Sequence, residues 1–407
     1  MLIVIGSVAG FLVFACLSNP SIRVWLNPDY RSQVLRFGEI LWLTNFAYFE
    51  EDRSGFEQLT EEAITGMAKS LDPYSVYFPP EALKEYYENT NLKYFGAGFK
   101  TRQIQEEIVV TRVNPGGPAE RAKLRLGDRI LDVDGETTTG KSVQDCLRLI
   151  RGPAGTEVLL RVRRLSGEID TLRIKRSQID TSPVDDFWVD ANGNGYIRLA
   201  EFTEKVGKEV GKALEVMQKQ DMKCLVLDLR DNPGGKMFAT VEVAGFFLSP
   251  NTLIVTTHGK LPELTLQFRS KAQKQRVEIP MAVLINEKSA SGAECLAGAL
   301  KCHGRAILVG EKTFGKGTFQ QLFPVSHDSG LHLTIGKYDL PDGSNVNEKG
   351  VEPDYQVPCD PESVDKLWVQ RDRQGIIDPD EFKKLFGFSP IPDPQWLKAI
   401  EVVNRDE

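Results

Sequence analysis

The sequence predicts a mixed α/β chain with three parts: a helical lead-in, a β-rich module, and a larger core in which strands alternate with helices. Three observations carry that prediction. At about 150 residues per domain, 407 residues suggest two or three domains and exclude a single small module. Hydrophobic residues at 41% and charged residues at 26% match an ordinary globular chain and exclude a wholly disordered one. The apolar pattern also changes along the chain, from three- and four-residue steps to short strand-like runs and then to strands alternating with helices. The 35 glycines and 22 prolines show no period, which excludes a repeat architecture. With 50 basic against 57 acidic side chains the net charge is −7, so nucleic acid is not an expected partner.

Residues 1–20 hold an apolar run, Leu2 to Leu17, ending near Ser18-Asn19-Pro20. Its length lies between a signal-peptide core and a short membrane span. No Lys or Arg precedes it, whereas Arg23 and Arg31 follow, so charge sets no orientation. Export or anchoring is the expectation, with an internal helix as the alternative. From Tyr30 to about Asn91, Val34, Leu35, Ile40, Leu41, Leu43 and Phe46 recur at helical spacing, and Leu59, Ala63, Ile64 and Met67 do so again. Asp72-Pro73-Tyr74-Ser75 ends the second helix, as an X-Pro turn should, and a short helix follows Pro80.

Between residues 95 and 177, Ile108–Val110, Ile130–Val133, Val158–Val162 and Leu172–Ile174 read as strands. Gly127-Asp128 and Asp134-Gly135 supply turns, and Ala119–Ala122 and Ser142–Ile150 supply helices. The core follows. Tyr196–Phe202 leads into an amphipathic helix reaching Gln220, and the apolar strand Cys224–Leu229 into the loop Asp231-Asn232-Pro233-Gly234-Gly235. Met281–Ile285 is a strand ending in Ser289-Ala290-Ser291-Gly292, with a helix from there to Lys301. Ala306–Val309 leads to Gly315-Lys316-Gly317, and Leu331–Tyr338 alternates like an antiparallel strand. After Pro358 the composition turns charged and suggests no role.

The chemistry gathers at strand–loop–helix corners. Ser291 sits where an apolar strand gives way to a helix, a place that exposes a hydroxyl beside helix-terminal N–H groups able to hold an oxyanion. A serine hydroxyl needs an adjacent base. None of the four histidines lies in such a corner, but Lys316 does, between Gly315 and Gly317. As a base, lysine must fall from about 10.4 towards 7–8, roughly 3–5 kcal/mol of differential desolvation. Phe314 and Phe319 are apolar neighbours suited to that, and Gln320, four residues on, is polar enough to orient an amine. The competing reading is a solvated loop lysine and a serine that caps a helix.

Other signals carry less. The six cysteines have no paired CxxC spacing, so no structural zinc site is indicated. Cys295 and Cys302, seven apart on one helix, lie about 10 Å apart along it, too far for a disulfide. Asp190 to Gly195 with Glu201 fits an EF-hand loop formally, but Asn-Gly turns occur for backbone reasons and the flanking helix is missing. Ser363 and Lys366 have SxxK spacing in the charged tail, read as coincidence.

The segments Lys288–Glu294 and Gly310–Gln320, together with Leu71–Ser75, Asp228–Gly235 and Gly350–Asp354, resemble the C-terminal processing peptidases, or tail-specific proteases. The resemblance spans roughly residues 34–358 in the family's order. It implies an N-terminal helical segment (30–93), a PDZ domain (94–177) and a Ser–Lys peptidase core of crotonase/ClpP-like fold (178–358), leaving 359–407 as a tail. By the same resemblance Ser291 is the nucleophile, Lys316 the general base and Gln320 the residue orienting it. The oxyanion hole would come from Gly292 and from Gly234 or Gly235. Gly292 stands where the family usually has alanine, a departure that bears on flexibility, since a backbone donor needs no particular side chain. Phe95-Gly96-Ala97-Gly98-Phe99 would be the carboxylate-binding loop beside which a chain end adds as a strand. The implied protein is a serine endopeptidase of the cell envelope, periplasmic or membrane-anchored, that takes unstructured protein C-termini and needs no metal or organic cofactor. A homo-oligomer is compatible with this reading. The alternatives are a catalytically inactive PDZ scaffold or adaptor and a calcium-regulated binding protein.

Overall fold

The computed structural model describes residues 27–90, 94–179, 182–372 and 378–405, so the apolar N-terminal run with Cys16 lies outside the described residues. The chain forms two compact units, one of residues up to Leu83 with Gln320–Thr334, the other of Lys84–Phe319 and Ile335–Glu407. No helix among the described residues is long and apolar enough to cross a membrane.

The smaller unit starts with α1 (Pro28–Ala47), opened by Asn27, whose side chain accepts from the Asp29 and Tyr30 N–H groups. Its apolar residues do not become a core: Leu35, Ile40, Leu43 and Phe46 are exposed, and α1 has no buried residue. Helix α2 (Phe56–Lys69) packs beside α1 and ends before Asp72, as the X-Pro turn predicts. Strand β1 (Val76–Phe78) pairs antiparallel with residues Gly330–His332, and α3 (Pro80–Thr90) follows.

In the larger unit, β2 (Tyr94–Gly96) pairs antiparallel with β9 (Ser177–Ile179), bringing the start and end of the β-rich module together. Between them lie β3 (Phe99–Ile104), β4 (Glu107–Val113), α4 (Pro118–Arg121), β5 (Arg129–Val133), β6 (Glu136–Thr137), α5 (Val143–Ile150), β7 (Glu157–Arg163) and β8 (Ile169–Lys175). The sheet order β3-β4-β5-β7-β8 leaves β3 at an edge, with α5 alongside it. Alternation on β4 explains its fully buried run. Ile108 and Val110 face the module's own core, whereas Val109 faces a second cluster built from the C-terminal helices.

The peptidase-like core is a six-stranded sheet, in order β10 (Val184–Val189), β11 (Asn194–Leu199), β12 (Cys224–Asp228), β15 (Met281–Ile285), β16 (Ile307–Gly310) and β19 (Tyr355–Gln356). Only the β10–β11 pair is antiparallel; its tight turn is Asp190–Gly193, and the Asp190–Gly195 segment is flanked by strands where an EF-hand needs helices. The Asp190 carboxylate closes this turn, accepting from the Asn192 and Asn194 N–H groups and the Asn194 amide. Strands buried on both faces read as continuous apolar runs. Leu225, Leu227, Val283 and Ile285 face α6 (Val206–Gln218), α7 (Met237–Ala244) and α8 (Gly292–Cys302). Val226, Ala282 and Leu284 face Ala399, Val402 and Val403 of α11 (Pro394–Val403). Residues 359–407, opaque in the sequence, thus supply α9 (Pro361–Asp372), α10 (Pro379–Phe386) and α11, of which α11 covers one face of the sheet. A smaller sheet pairs β13 (Leu253–Gly259) with β14 (Gln267–Arg269) and with the end of β18 (Ser329–Asp339), which follows β17 (Thr318–Val325).

Candidate active site

Ser291 closes the β15 corner and immediately precedes α8. Its φ of 55° and ψ of −115° lie outside the extended region that an ordinary N-cap serine adopts. A non-glycine residue held at positive φ is strained, and such strain gathers at functional corners. What holds it is Glu294, which is fully buried and accepts from the Ser291 N–H at 2.8 Å. The same carboxylate reaches the second corner, accepting from the Lys316 N–H (2.8 Å), the Gly315 N–H (2.7 Å) and the Thr313 hydroxyl (2.6 Å). One buried anion therefore fastens the serine loop to the lysine loop through charge-assisted bonds.

The lysine loop is shaped by its glycines. Gly315 has a φ of 91° and Gly317 leaves no room for a Cβ against the Asn347 backbone. The Gly350–Asp354 segment packs onto the same loop, with the Val351 N–H donating to the Thr313 hydroxyl at 2.6 Å. Burial lowers the Lys316 pKa, and the nearby Glu294 charge opposes that shift. Phe314 does not contribute as expected from the sequence: it points outward and is 56% exposed. Tyr338, 1% exposed, completes the corner from β18, its hydroxyl donating to the Lys316 carbonyl and meeting the Ser291 side chain. Burial pushes this phenol well above its ordinary value, so it remains a neutral donor.

The third corner is the Asp231–Gly235 loop. A Cβ on Gly234 (φ 94°) would lie 2.7 Å from the Ser291 Cβ and 2.6 Å from the Gly292 nitrogen, so only glycine lets the loop approach the serine this closely. The Gly234 N–H donates to Asn232 Oδ1 at 2.8 Å. Gly235 and Gly292 come close together: a Cβ on Gly292 would lie 3.5 Å from the Gly235 nitrogen. The same Cβ would lie 2.6 Å from Thr240 Oγ1, and Thr240 is fully buried on α7. That contact disfavours any side chain at Gly292.

The structure thus brings together Ser291, Lys316, Gly234, Gly235 and Gly292. Gln320 belongs to the smaller unit, where its amide donates to Thr334 Oγ1 at 3.1 Å. Thr334 in turn donates to Asp72 Oδ1 (3.1 Å), and its N–H donates to Ser75 Oγ (3.1 Å). Burial alone would raise the Asp72 pKa, but the Tyr74 and Ser75 N–H groups and the Ser75 hydroxyl hold it low. The Asp72–Ser75 turn is therefore an anchor for Thr334 and Gln320 as well as a helix stop. Phe95 and Gly96 end β2, paired with Gln178 and Ser177 of β9; Ala97 and Gly98 lie between β2 and β3, and Phe99 begins β3 itself. Gly98 has a φ of 79°, and its carbonyl and that of Ala97 accept from Asn114 and Ala119.

Sequence reasoning missed Glu294 and Tyr338. Ser291-Gly292-Ala293-Glu294 has the S-x-x-E spacing of a capping box, a signal that would have found the first. Nothing local marks the second. No group of three or more His, Cys, Asp or Glu side chains able to hold a metal occurs among the described residues. Of the cysteines, Cys146, Cys224, Cys295, Cys302 and Cys359 are unbridged, and Cys295 and Cys302 share α8 as their spacing predicts.

Comparison with known proteins bears on the family and the fold. Residues 193–357 match peptidase family S41, and residues 109–164 match the PDZ domain. A carboxyl-terminal-processing protease of Picosynechococcus sp. is 35% identical over 320 residues, covering 77% of this chain and 76% of the relative. A serine protease of Staphylococcus epidermidis, designated CtpA-like, is 32% identical over 335 residues, covering 82% and 67%. A solved structure from Bacteroides fragilis assigned to the S41 proteases superposes with a TM-score of 0.54 at 18% identity, covering 82% of this chain and 86% of that one, which supports the fold. The chain belongs to the carboxyl-terminal-processing proteases, serine-type peptidases of family S41 that carry a PDZ domain.

Proposed function

We propose that the chain cleaves polypeptides by a Ser–Lys mechanism and selects them by their C-termini. Ser291 Oγ attacks the scissile carbonyl while Lys316, neutral, takes the hydroxyl proton. The oxyanion is held by the Gly235 and Gly292 N–H groups, and Gly234, whose own N–H serves Asn232, lets the loop approach the serine. Lys316 returns its proton to the leaving amine, which departs as the C–N bond breaks. Water then attacks the acyl-enzyme, giving up a proton through Lys316 and freeing Ser291. Gln320 is proposed to orient the lysine on its spacing and the family resemblance alone. The observation that carries this reading is the Glu294 carboxylate, which binds the Ser291 and Lys316 backbones at 2.8 Å each.

For selection, β3 is an edge strand entered through Gly98, which supports addition of a substrate's terminal residues along it, their carboxylate at the Phe95–Phe99 loop. The apolar N-terminal run supports action in the cell envelope.

A peptide ending in apolar residues, and the same peptide amidated, test the reading. Cleavage of the free acid that disappears in Ser291→Ala and in Lys316→Ala, with slower cleavage of the amide, is expected. Binding without cleavage, unchanged by either substitution, would instead identify a PDZ scaffold.

A further inference from the structure

Helix α9 ends on two adjacent charged residues that face different parts of the larger unit. Asp372, fully buried, accepts from Arg102 Nε and Thr111 Oγ1 at 2.8 Å each, with Lys100 Nζ at 3.7 Å. Arg102 and Lys100 lie on β3 and Thr111 on β4, so this carboxylate is an anchor on the PDZ domain. Its neighbour Arg371 reaches the other way, its guanidinium 3.5 Å from Asp231 Oδ2 and 3.6 Å from Asp393 Oδ2.

Asp231 opens the loop that holds Gly234 and Gly235. Its φ of 61° is positive, so the turn is strained. Its N–H donates to Asn286 Oδ1 at 2.8 Å and its Oδ1 accepts from Asn286 Nδ2 at 3.0 Å. Asn286 belongs to the segment leading to Ser291, and its N–H donates to Ser289 Oγ at 3.0 Å. Asp231 therefore ties the glycine loop to the serine loop, and Arg371 is the cation that faces it. Arg230, the preceding residue, is held by the same C-terminal region: its guanidinium meets Asp393 at 2.8 Å and Gln395 at 2.9 Å.

The two halves of this connection differ in tightness. Asp372 makes short bonds to the PDZ domain, whereas Arg371 pairs at 3.5 and 3.6 Å, longer than a good charge-assisted bond. Four buried side-chain atoms have no hydrogen-bond partner among the described residues: Thr101 Oγ1, Arg112 Nε, Arg198 Nε and Arg371 Nε. Three of them, on Arg112, Arg198 and Arg371, belong to this seam. Arg112 and Arg198 converge on Asp185, and Arg102, Arg198 and Arg371 surround the Trp368 ring of α9.

From these contacts we infer that Arg371 is a positioning residue for the oxyanion loop, holding Asp231, and that Asp372 fixes it to the PDZ strand on which a peptide would add. The inference rests on the proposed roles of Ser291, Gly235 and Gly292. The C-terminal helix α9 is then a working part of the peptidase that links chain-end capture to the reacting corner.

The test is the rate at which a fluorophosphonate labels Ser291 in the full chain, because the reagent's phosphoryl oxygen uses the same N–H donors as a substrate carbonyl. Arg371→Met is expected to slow labelling about tenfold with an unchanged thermal melt, and Arg371→Lys to recover most of the rate, since it restores the cation without the fork. Addition of a peptide with a free apolar C-terminus should raise the labelling rate of wild type, and Asp372→Asn should remove that increase. Wild-type labelling in Arg371→Met overturns the inference. Should Arg371→Met fail to fold, Asp231→Asn weakens the same pair from the loop side, and wild-type labelling there overturns it equally. Labelling of the wild type that Ser291→Ala leaves intact would sink the nucleophile assignment itself, a result distinct from either.

Discussion

The Ser291–Lys316 corner and the seam between the PDZ domain and the C-terminal helices are both buried and polar, yet they satisfy their polar groups differently. At the corner, four donors from two loops converge on one carboxylate, Glu294, with every distance between 2.6 and 2.8 Å. At the seam, several cations share a few carboxylates, and three guanidinium Nε atoms have no partner among the described residues. A fully satisfied network specifies one geometry, whereas a partly satisfied one admits others at little extra energy. The corner gathers its donors on one carboxylate, whereas the seam spreads its cations over Asp185, Asp231, Asp372 and Asp393.

The largest effect is expected from breaking the corner's satisfaction. In Glu294→Gln, one carboxylate oxygen becomes an NH2 group. Either orientation then sets a donor against two donors, Ser291 and Lys316 on one side or Gly315 and Thr313 on the other. Two buried groups left unpaired cost about 1–3 kcal/mol each. The urea midpoint should fall accordingly, and kcat on a cleaved peptide should drop by about 100-fold or more as the two loops separate. A variant with wild-type kcat would show that Glu294 does not align them.

At the seam the strong term is apolar. Phe382 is fully buried and packs on Phe386 and Phe388 with ring centroids 4.8 and 5.2 Å away, in the cluster that holds Val109 of β4. Phe382→Ala should cost about 3–5 kcal/mol at this contact. Because the PDZ domain keeps its own core of Ile108, Val110, Ile130 and Val158, the loss should be local. Hydrogen exchange should therefore rise in α9 and α10 well before it rises in β5 or β7. Uniform acceleration across the larger unit would mean that the seam is as tightly coupled as the cores.

The contrast also explains what could be read from the sequence. The corner's parts sit within short segments, Lys288–Glu294 and Gly310–Gln320, where glycines, a strand end and a helix start signal a strained turn locally. The strands of the core were equally visible, because burial on both faces leaves continuous apolar runs. The seam left no such trace. Arg102 and Asp372 are 270 residues apart, and each alone looks like a solvated charge on a strand or in a tail. Helices α9 and α10 were missed for the same reason: their apolar residues face a cluster whose other half, Val109, lies far back in the chain. Helix α1 failed in the opposite sense, since its regular apolar spacing is real but Leu35, Ile40, Leu43 and Phe46 stay exposed. Tyr338 reaches the corner from a strand whose alternation announced only a strand.

A smaller effect tests the glycine that opens α8 at the corner. Gly292→Ala gains helix propensity of about 1 kcal/mol at the start of α8 but drives a methyl to 2.6 Å from Thr240 Oγ1. The shift needed to relieve that contact moves the Gly292 N–H, so kcat should fall about tenfold with little change in KM. Adding Thr240→Ala removes the clash, and the double variant should regain most of the rate, giving a coupling energy of about 1–2 kcal/mol. Additive effects in the double-mutant cycle would separate Thr240 from the choice of glycine.

The smallest effect separates the two regions by pH. Lys316 is lowered by burial in the folded protein, while in the unfolded chain it titrates near 10.4. Between those values the unfolded state binds the extra proton, so this lysine's contribution to stability rises with pH through the interval and is most unfavourable below the folded value. Lys316→Met removes that penalty and should raise Tm by about 1–2 °C at pH 7 while abolishing cleavage, with the difference shrinking as pH approaches 10. The seam's buried cations include Arg198 and Arg371, and the Cys359 thiol, pushed up by burial, lies within the field of Arg371, so any Tm difference between Arg371→Met and wild type should be flat from pH 7 to about 8 and change only above it. A Tm for Lys316→Met at or below wild type at pH 7 would mean that the lysine is not desolvated enough to act as the base. A slope in that difference between pH 7 and about 8 would mean that Arg371 is coupled to a group other than Cys359 that titrates there.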